Sequence, residues 1–347
     1  MSNYVNTDAK CYDTLDHLLK QGGLWKDIYT DFKSSVVSAS IIPGLKKTII
    51  KNTGTYTNMI PQGLCVTDNY IFITAYEIEH QKSALYILDK KNGSYITMVG
   101  FSGKEIHAGG IAFNKTTQDL WVCGPLWVYN GKFVPTLIQI KQNTILSKPE
   151  GTLMTTNDYN LYYLPTIKEA SYISIADNRL HIGQFYDSQA EPYSHNEPIF
   201  YTTSLQQNGT PLLDNNTYNK PCIRILYQTR TPNDVQGMTF FQLNTQKYIV
   251  FSHSYGRTSE GTNTDRGSKI SIYKFSSYYD DFSTDTYLYK KIAMPVMIEQ
   301  ICFESIGNTS LYTIFESASN FYTNDAKNLP SNYIDRVITL DFMKLFH

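Results

Sequence analysis

Side chains that can move protons stand close to the starts of short apolar segments at several places in the chain. They are Glu299, at the first position of such a segment, and His107, Glu169 and Asp234, each two residues before one. Carboxyl groups and an imidazole can divide the roles of acid and base between them. We therefore predict these four residues as catalytic candidates for a hydrolysis that is assisted by carboxylates or polarised by a metal ion.

Oxygen-bearing side chains occupy the leading position of the same segments. Four of the five segments begin with such a residue: Gln62, Ser171, Gln236 and Glu299. The remaining segment begins with Gly109. Calcium takes six to eight oxygen ligands from carboxylates, amides and water. The set predicts a Ca²⁺ site; the alternative is that Gln and Ser bond to each other and to trapped water.

Further polar and aromatic residues follow the second apolar run of several segments. Tyrosine rings there can stack on sugar or nucleoside rings, and an arginine can bind a carboxylate or phosphate. The alternatives are that each tyrosine only packs and that the lone histidine is structural. The predicted ligand-binding residues are Gln62, Gln236, Tyr76, Tyr186, Tyr255, Arg257, His253 and Glu316.

These positions belong to a pattern that occurs five times: a small, amide or acidic residue, a short apolar strand, a polar turn and a second strand. Repetition of this kind is typical of radial or stacked folds. With 28 Tyr, 17 Phe and many β-branched residues, the composition favours strands. The copies begin at Gln62, Gly109, Ser171, Gln236 and Glu299.

The repeats predict an all-β fold, a five-bladed β-propeller with four-stranded blades. We expect residues 39–347 to form this single domain, and residues 1–38 to be an extension with a short helix near 8–19 that packs on it. Residues 45–50 read as a strand without a blade, and 335–341 as the third strand of the last blade. An N-terminal strand that completes the last blade would hide two sheet edges.

Charge and composition argue against several partners. A formal net charge of −1 offers no electrostatic footprint for nucleic acid or an acidic membrane. No apolar run is long enough to span a bilayer, and no signal peptide is recognisable. We expect a soluble monomer, cytoplasmic or exported after trimming, that binds a small polar ligand or a glycan. The five cysteines show no metal-binding spacing.

The repeat pattern resembles YVTN-type and gluconolactonase-type propellers and, more closely, the five-bladed calcium-activated apyrases. In those apyrases a Ser or Glu near the start of each inner strand holds a central calcium ion, which here matches Ser171 and Glu299, whereas Gln62, Gly109 and Gln236 depart from the rule. The chain is also similar to five-bladed glycosidases, whose three carboxylates come from separate blades. That resemblance implies roles for Glu169, Asp234 and Glu299.

Two functions follow as hypotheses. The first is a ligand-binding or hydrolytic propeller with a polar site in its central channel. The second is a non-enzymatic recognition module whose broad face binds a glycan or a protein. If the chain is an enzyme, its turnover should depend on Glu299. If it is a recognition module, its binding should depend on Tyr76, Tyr186 and Tyr255.

Overall fold

The computed structural model describes residues 2–7, 14–21, 24, 27–101, 107–129, 131–186, 197–214, 219–254, 256–257 and 268–347. Five large sheets follow one another along this part of the chain. In each, the first strand after the predicted repeat start lies at one edge, and we call it the inner strand. All five segments that the repeat predicted as first strands are inner strands.

Each large sheet contains four antiparallel strands. Sheet 1 is Ile60–Val66, Tyr70–Glu77, Lys82–Asp89 and Tyr95–Phe101; sheet 2 is Ile111–Asn114, Asp119–Cys123, Thr136–Lys141 and Asn160–Tyr163; sheet 3 is Tyr172–Ala176, Arg179–Gly183, Ile199–Ser204 and Tyr227–Arg230; sheet 4 is Val235–Leu243, Gln246–His253, Lys269–Phe275 and Leu288–Ala293; sheet 5 is Ile298–Phe303, Ser310–Phe315, Arg336–Asp341 and Val36–Ile41. Sheet 1 has a fifth strand, Thr152–Met154, parallel to Tyr95–Phe101.

The remaining elements are short. Two small sheets are formed by Val5–Asn6, Lys47–Ile50 and Gly54–Tyr56, and by Trp127–Tyr129 and Lys132–Val134. The α-helices are Leu15–Gln21, Thr30–Ser35, Gln142–Leu146, Asn320–Thr323 and Phe342–Phe346, and the 3₁₀ turns are Asp27–Tyr29 and Asp285–Tyr287. None of the described helices has the length and apolar character needed to cross a membrane.

The N-terminal part of the chain differs from the prediction. Val36–Ile41, not 45–50, pairs with Arg336–Asp341 at the outer edge of sheet 5. Lys47–Ile50 instead pairs with Val5–Asn6 and Gly54–Tyr56. The boundary predicted at residue 38 therefore falls inside a strand. Within the described residues the helix covers Leu15–Gln21; residues 8–13 of the predicted 8–19 lie outside them.

Apolar side chains between successive sheets make up the core. Each of five buried clusters joins two neighbouring sheets, and the last cluster joins sheet 5 back to sheet 1. Burial between sheet faces is the dominant favourable contribution to such a fold. The pairs that exemplify the clusters are Phe72 with Leu120, Trp121 with Ile182, Phe200 with Phe251, Ile270 with Phe315, and Ile314 with Ile73. The fold is all-β and its architecture is that of a β-propeller.

Glycines let the inner strands approach one another at the axis. A Cβ atom added to Gly109 would lie 2.5 Å from the carbonyl oxygen of Ser171, and one added to Gly237 would lie 2.7 Å from the Cα of Gln300. Both distances are too short for any side chain. Glycine within a strand often marks such a close approach of two backbones.

Candidate active site at the mouth of the axis

Three of the five leading positions of the repeat coincide with irregularities in strand pairing. The register shifts between Pro61 and Gly63, between Val235 and Gly237, and between Ile298 and Ile301. Gln62, Gln236 and the Glu299–Gln300 pair are thus the extra residues of β-bulges. A bulge bends the strand and re-aims a side chain, and bulges are frequent beside active sites.

Gln300 fills the space at the axis next to these leading residues. Its Nε2 donates to the carbonyl oxygens of Ile111 (2.6 Å) and Ile173 (3.1 Å), and its Oε1 accepts from the amides of Ile111 (2.9 Å) and Leu64 (3.3 Å). The side chain is buried and connects the inner strands of sheets 1, 2, 3 and 5. A small cavity of about 60 Å³, lined partly by Cys65 and Cys302, lies along the same strands beyond it.

The pair Glu299 and Glu316 forms the centre of the candidate site. Glu299 comes from the inner strand of sheet 5 and is 3% exposed, and Glu316 directly follows the second strand of that sheet. Desolvation and the neighbouring Glu316 carboxylate raise the pKa of Glu299 well above its usual value. Desolvation also raises the pKa of Glu316, to about 7. Two carboxyl groups in this environment cannot both ionise readily near neutral pH.

The two carboxyl groups have different surroundings. Glu316 Oε2 accepts hydrogen bonds from Gln62 Nε2 and from the Tyr322 hydroxyl, both at 3.0 Å. These bonds and the charge of Arg257 oppose the rise in the pKa of Glu316. Among the residues that the structure describes, no such stabilising contact opposes the rise in the pKa of Glu299. Glu316 is therefore the first of the pair to ionise, and Glu299 holds its proton to higher pH.

Aromatic and imidazole groups border the pair. His107 Nε2 lies 3.2 Å from Gln62 Oε1, and its ring lies 4.0 Å from that of Tyr76. Desolvation lowers the pKa of His107 to about 4, although the residue keeps an exposed edge. The charges of Glu299 and Glu316 add to desolvation in raising the pKa of Tyr76. Tyr76 and His107 are therefore neutral at pH 7.

A segment between the second and third strands of sheet 5 crosses to sheet 1 beside the pair. Ser319 Oγ donates to the carbonyl oxygen of Met59 at 2.9 Å, which fixes the short helix Asn320–Thr323 at this edge. Arg257 pairs with Asp325 at 2.5 Å and stacks on the ring of Tyr322 at 4.8 Å. The carboxylate that Arg257 was predicted to bind is thus supplied by the protein itself.

The other predicted residues lie at the starts of sheets 3 and 4. Ser171 Oγ donates to Glu169 at 2.8 Å and accepts from the amide of Phe185. Asp234 has a positive φ of 59° and precedes the half-buried Gln236 by two residues. Tyr186 is also half-buried, and its carbonyl oxygen accepts a hydrogen bond from the amide of Asp234. Tyr255 lies outside the described residues.

His253 is buried in sheet 4. It is 2% exposed, its Nδ1 lies 3.0 Å from the carbonyl oxygen of Asn233, and burial lowers its pKa to about 3. The ligand-binding role of His253 stays a prediction; in the structure its ring lies 6.3 Å from that of Phe251 in sheet 4.

Two site residues escaped the sequence reasoning. Tyr322, which donates to Glu316, stands in a segment with no periodic pattern, so no signal identified it. Gln300 does carry a signal, because it is a second polar residue at the start of an otherwise apolar strand. A buried polar side chain needs hydrogen-bonding partners, and this need could have suggested an axial role.

The raised pKa of Glu316 makes stability depend on pH in a definite direction. The folded pKa of about 7 exceeds the ordinary 4.5, so the folded state binds this proton more tightly. Its contribution to stability is fully present below pH 4.5 and is lost as the pH rises through about 7. At about 1.4 kcal/mol per pH unit the loss amounts to about 3 kcal/mol.

Glu316→Gln should therefore gain stability over the wild type as the pH rises from 4.5 to 8. Gln keeps a carbonyl oxygen that can accept from Gln62 and Tyr322 and cannot ionise. Urea unfolding at pH 4.5, 6 and 8 measures the difference. The buried histidines contribute equally to the pH dependence of both proteins, so their contribution cancels in the difference. A difference that is constant across this range would contradict the raised pKa.

Comparisons with known proteins found likeness only among solved structures. No family model matches the sequence, and no curated protein matches it. A GH43_1 enzyme from Xanthomonas citri, solved with xylose, is 11% identical over 91% of this chain and 92% of its own, with a TM-score of 0.40. The Swd1 β-propeller domain from Myceliophteria thermophila is 9% identical over 82% and 99%, with a TM-score of 0.36. A glucose dehydrogenase is 9% identical over 85% and 89%, with a TM-score of 0.38.

Proposed function

We propose that this chain is a five-bladed β-propeller that hydrolyses an uncharged glycoside at the mouth of its axis. The observation that carries the proposal is the pair of buried Glu299 and half-buried Glu316, whose different surroundings push the two pKa values apart. A pair of titratable groups separated in this way can serve as acid and base. The blade count is supported by five sheets whose cores join in cyclic order.

The two carboxyl groups have distinct roles in this proposal. Glu299 keeps its proton near neutral pH and donates it to the oxygen of the leaving sugar. Glu316 is stabilised as an anion by Gln62 and Tyr322. It acts either as a base that takes a proton from the attacking water or as a nucleophile that attacks the anomeric carbon of the sugar. Glycoside hydrolysis commonly uses two carboxyl groups in these roles. Tyr76 and His107 offer neutral ring surfaces against which a sugar can pack.

The charge of the site favours a neutral substrate. Ionisation of either carboxyl group places negative charge at the mouth, which would repel a phosphate or carboxylate group. Arg257, the cation beside the pair, is already paired with Asp325. These contacts argue against a nucleotide or another anionic substrate and support a sugar without charge.

The test is hydrolysis of a panel of aryl glycosides and neutral oligosaccharides by the wild type and by a Glu299→Gln/Glu316→Gln double variant. We expect the wild type to cleave at least one member and the double variant to cleave none. If the wild type binds a glycan in calorimetry without cleaving any, the recognition module becomes the better function. Variants of Tyr76 and Tyr186 would then lose binding.

Calcium stays a prediction, and the predicted ligands fit it poorly as they stand. Ser171 Oγ donates to Glu169, and the amide nitrogen of Gln62 points to Glu316. A bound ion would raise the melting temperature by mass action, and Glu299→Gln would reduce that rise. An unchanged melting temperature in the presence of about millimolar calcium, a concentration at which weak protein sites fill, would remove calcium from the site.

A further inference from the structure

An open cavity of about 750 Å³ lies between sheets 3 and 4, away from the mouth of the axis. It is lined by the turns after the inner strands of these sheets, by residues 275–279 at the end of the third strand of sheet 4 and by Tyr227, whereas the carboxyl pair lies where inner strands begin. Cavities of roughly 300–1,000 Å³ are typical of small-molecule sites. The residues that matter to its chemistry are Asp177, Arg179, Tyr227, Lys247, Tyr278 and Tyr279.

Tyrosine rings form two walls of this cavity. Tyr227 and Tyr278 stack at 5.2 Å with 17° between their planes, and His181 continues the stack behind Tyr278 at 5.6 Å. Tyr279 stands perpendicular to Tyr227 at 5.6 Å and is 82% exposed. The stack is anchored in the core, because His181 is fully buried. A rigid ring beside a freely exposed ring makes a corner in which the apolar face of a sugar can stack.

The charges in the cavity sum to a positive excess. Lys247 pairs with Asp177. The guanidinium carbon of Arg179 lies 4.6 Å from the Tyr278 ring and 5.4 Å from the Tyr227 ring. Within the described part of the chain, Arg179 forms no ion pair with a carboxylate. An arginine that lies over aromatic rings without a carboxylate partner can still bind the carboxylate of a ligand in a two-pronged manner.

We propose that this cavity binds a sugar that carries a carboxylate, such as a uronate residue of an oligosaccharide. Tyr279 stacks on the sugar ring and Arg179 binds its carboxylate, while the hydroxyl group of Ser277 lies at the wall and can donate a further hydrogen bond. One excess positive charge suits a monovalent carboxylate better than a divalent phosphate. The site does not depend on the proposed hydrolysis, since it uses none of the residues at the mouth.

Calorimetric titration with trigalacturonate tests the proposal. We expect it to bind at least about tenfold more tightly than neutral maltotriose, a difference of about 1.4 kcal/mol, and to weaken as salt is raised. Galacturonic acid alone distinguishes a free acidic sugar from a polymer unit. Tighter binding of AMP than of trigalacturonate would overturn the assignment to a sugar, and no binding of trigalacturonate would overturn the site.

Variants locate the binding. Tyr279→Ala and Arg179→Gln should each weaken trigalacturonate at least about tenfold. Phe133→Ala, which also removes an exposed ring but far along the chain in the small hairpin, should not. Glu299→Gln should keep the affinity, which separates this site from the one at the mouth. Unchanged binding in both Tyr279→Ala and Arg179→Gln would contradict the proposal.

Discussion

Gln300→Ala should lower the free energy of unfolding by about 3–5 kcal/mol, because several buried backbone groups lose their partner at once. Each unsatisfied buried group costs about 1–3 kcal/mol, and the deleted side chain also leaves a cavity. The orphaned groups are the amides of Leu64 and Ile111 and the carbonyl oxygens of Ile111 and Ile173. They lie on three different inner strands, so the loss acts at the point where the sheets meet.

Urea unfolding of the purified variant measures this effect. Gln242→Ala is the matched control, since Gln242 belongs to the neighbouring inner strand and its one side-chain hydrogen bond within the described residues is local, to the carbonyl oxygen of Asn244. We expect the control to lose less than about 1 kcal/mol, as is usual for such sites. Gln300→Leu keeps most of the volume and separates the two causes: a loss as large as that of Ala assigns the effect to hydrogen bonding. A loss under about 1 kcal/mol in Gln300→Ala would mean that water replaces the side chain.

The strand pattern could be predicted because inner and middle strands are buried and therefore keep apolar residues at regular positions. Ile60–Val66 and Ser310–Phe315 are mostly buried along their length. The outermost strand of sheet 5 is different, since Val37 is 62% exposed and Ile41 is 40% exposed. An outer strand is paired on one side only, so its sequence need not show the apolar run that a buried strand needs. The sequence therefore points to 45–50 as the closing strand, whereas Val36–Ile41 takes that place.

The site was predictable in part for the same reason. Gln62, His107 and Glu299 occupy fixed places in the repeat, and the structure joins Gln62 to His107 and to Glu316. Tyr322, by contrast, reaches the site from a connection, and connections follow no period. His253 occupies a rim position in the sequence, but its ring turns into the core, because strand register decides which side a residue faces.

The largest effects on activity are expected from the carboxyl pair itself. Glu299→Gln removes the proton donor and should lower kcat by about 10²–10⁴ on a substrate with a poor leaving group, the usual range for general acid catalysis. On a dinitrophenyl glycoside, whose leaving group needs no proton, the loss should be much smaller. Glu316→Gln should lose about as much on both substrates, because its role does not involve the leaving group. For each variant, the loss on the first substrate is divided by the loss on the dinitrophenyl glycoside. The variant with the larger ratio identifies the acid, whatever the natural substrate is.

The pH profile gives a second, independent readout of the same roles. Activity of the wild type should rise with pH as Glu316 ionises, with a pKa of about 7 in the free enzyme, and fall at higher pH as Glu299 loses its proton. In Glu299→Gln the fall should disappear.

Glu304→Gln is the control, because Glu304 lies just past the far end of the same inner strand and pairs with Lys90. If Glu169→Gln or Asp234→Asn removed as much activity as Glu299→Gln, the proton transfer would belong to a carboxyl group outside the pair. Equal losses of Glu299→Gln on both substrates would exclude Glu299 as the acid.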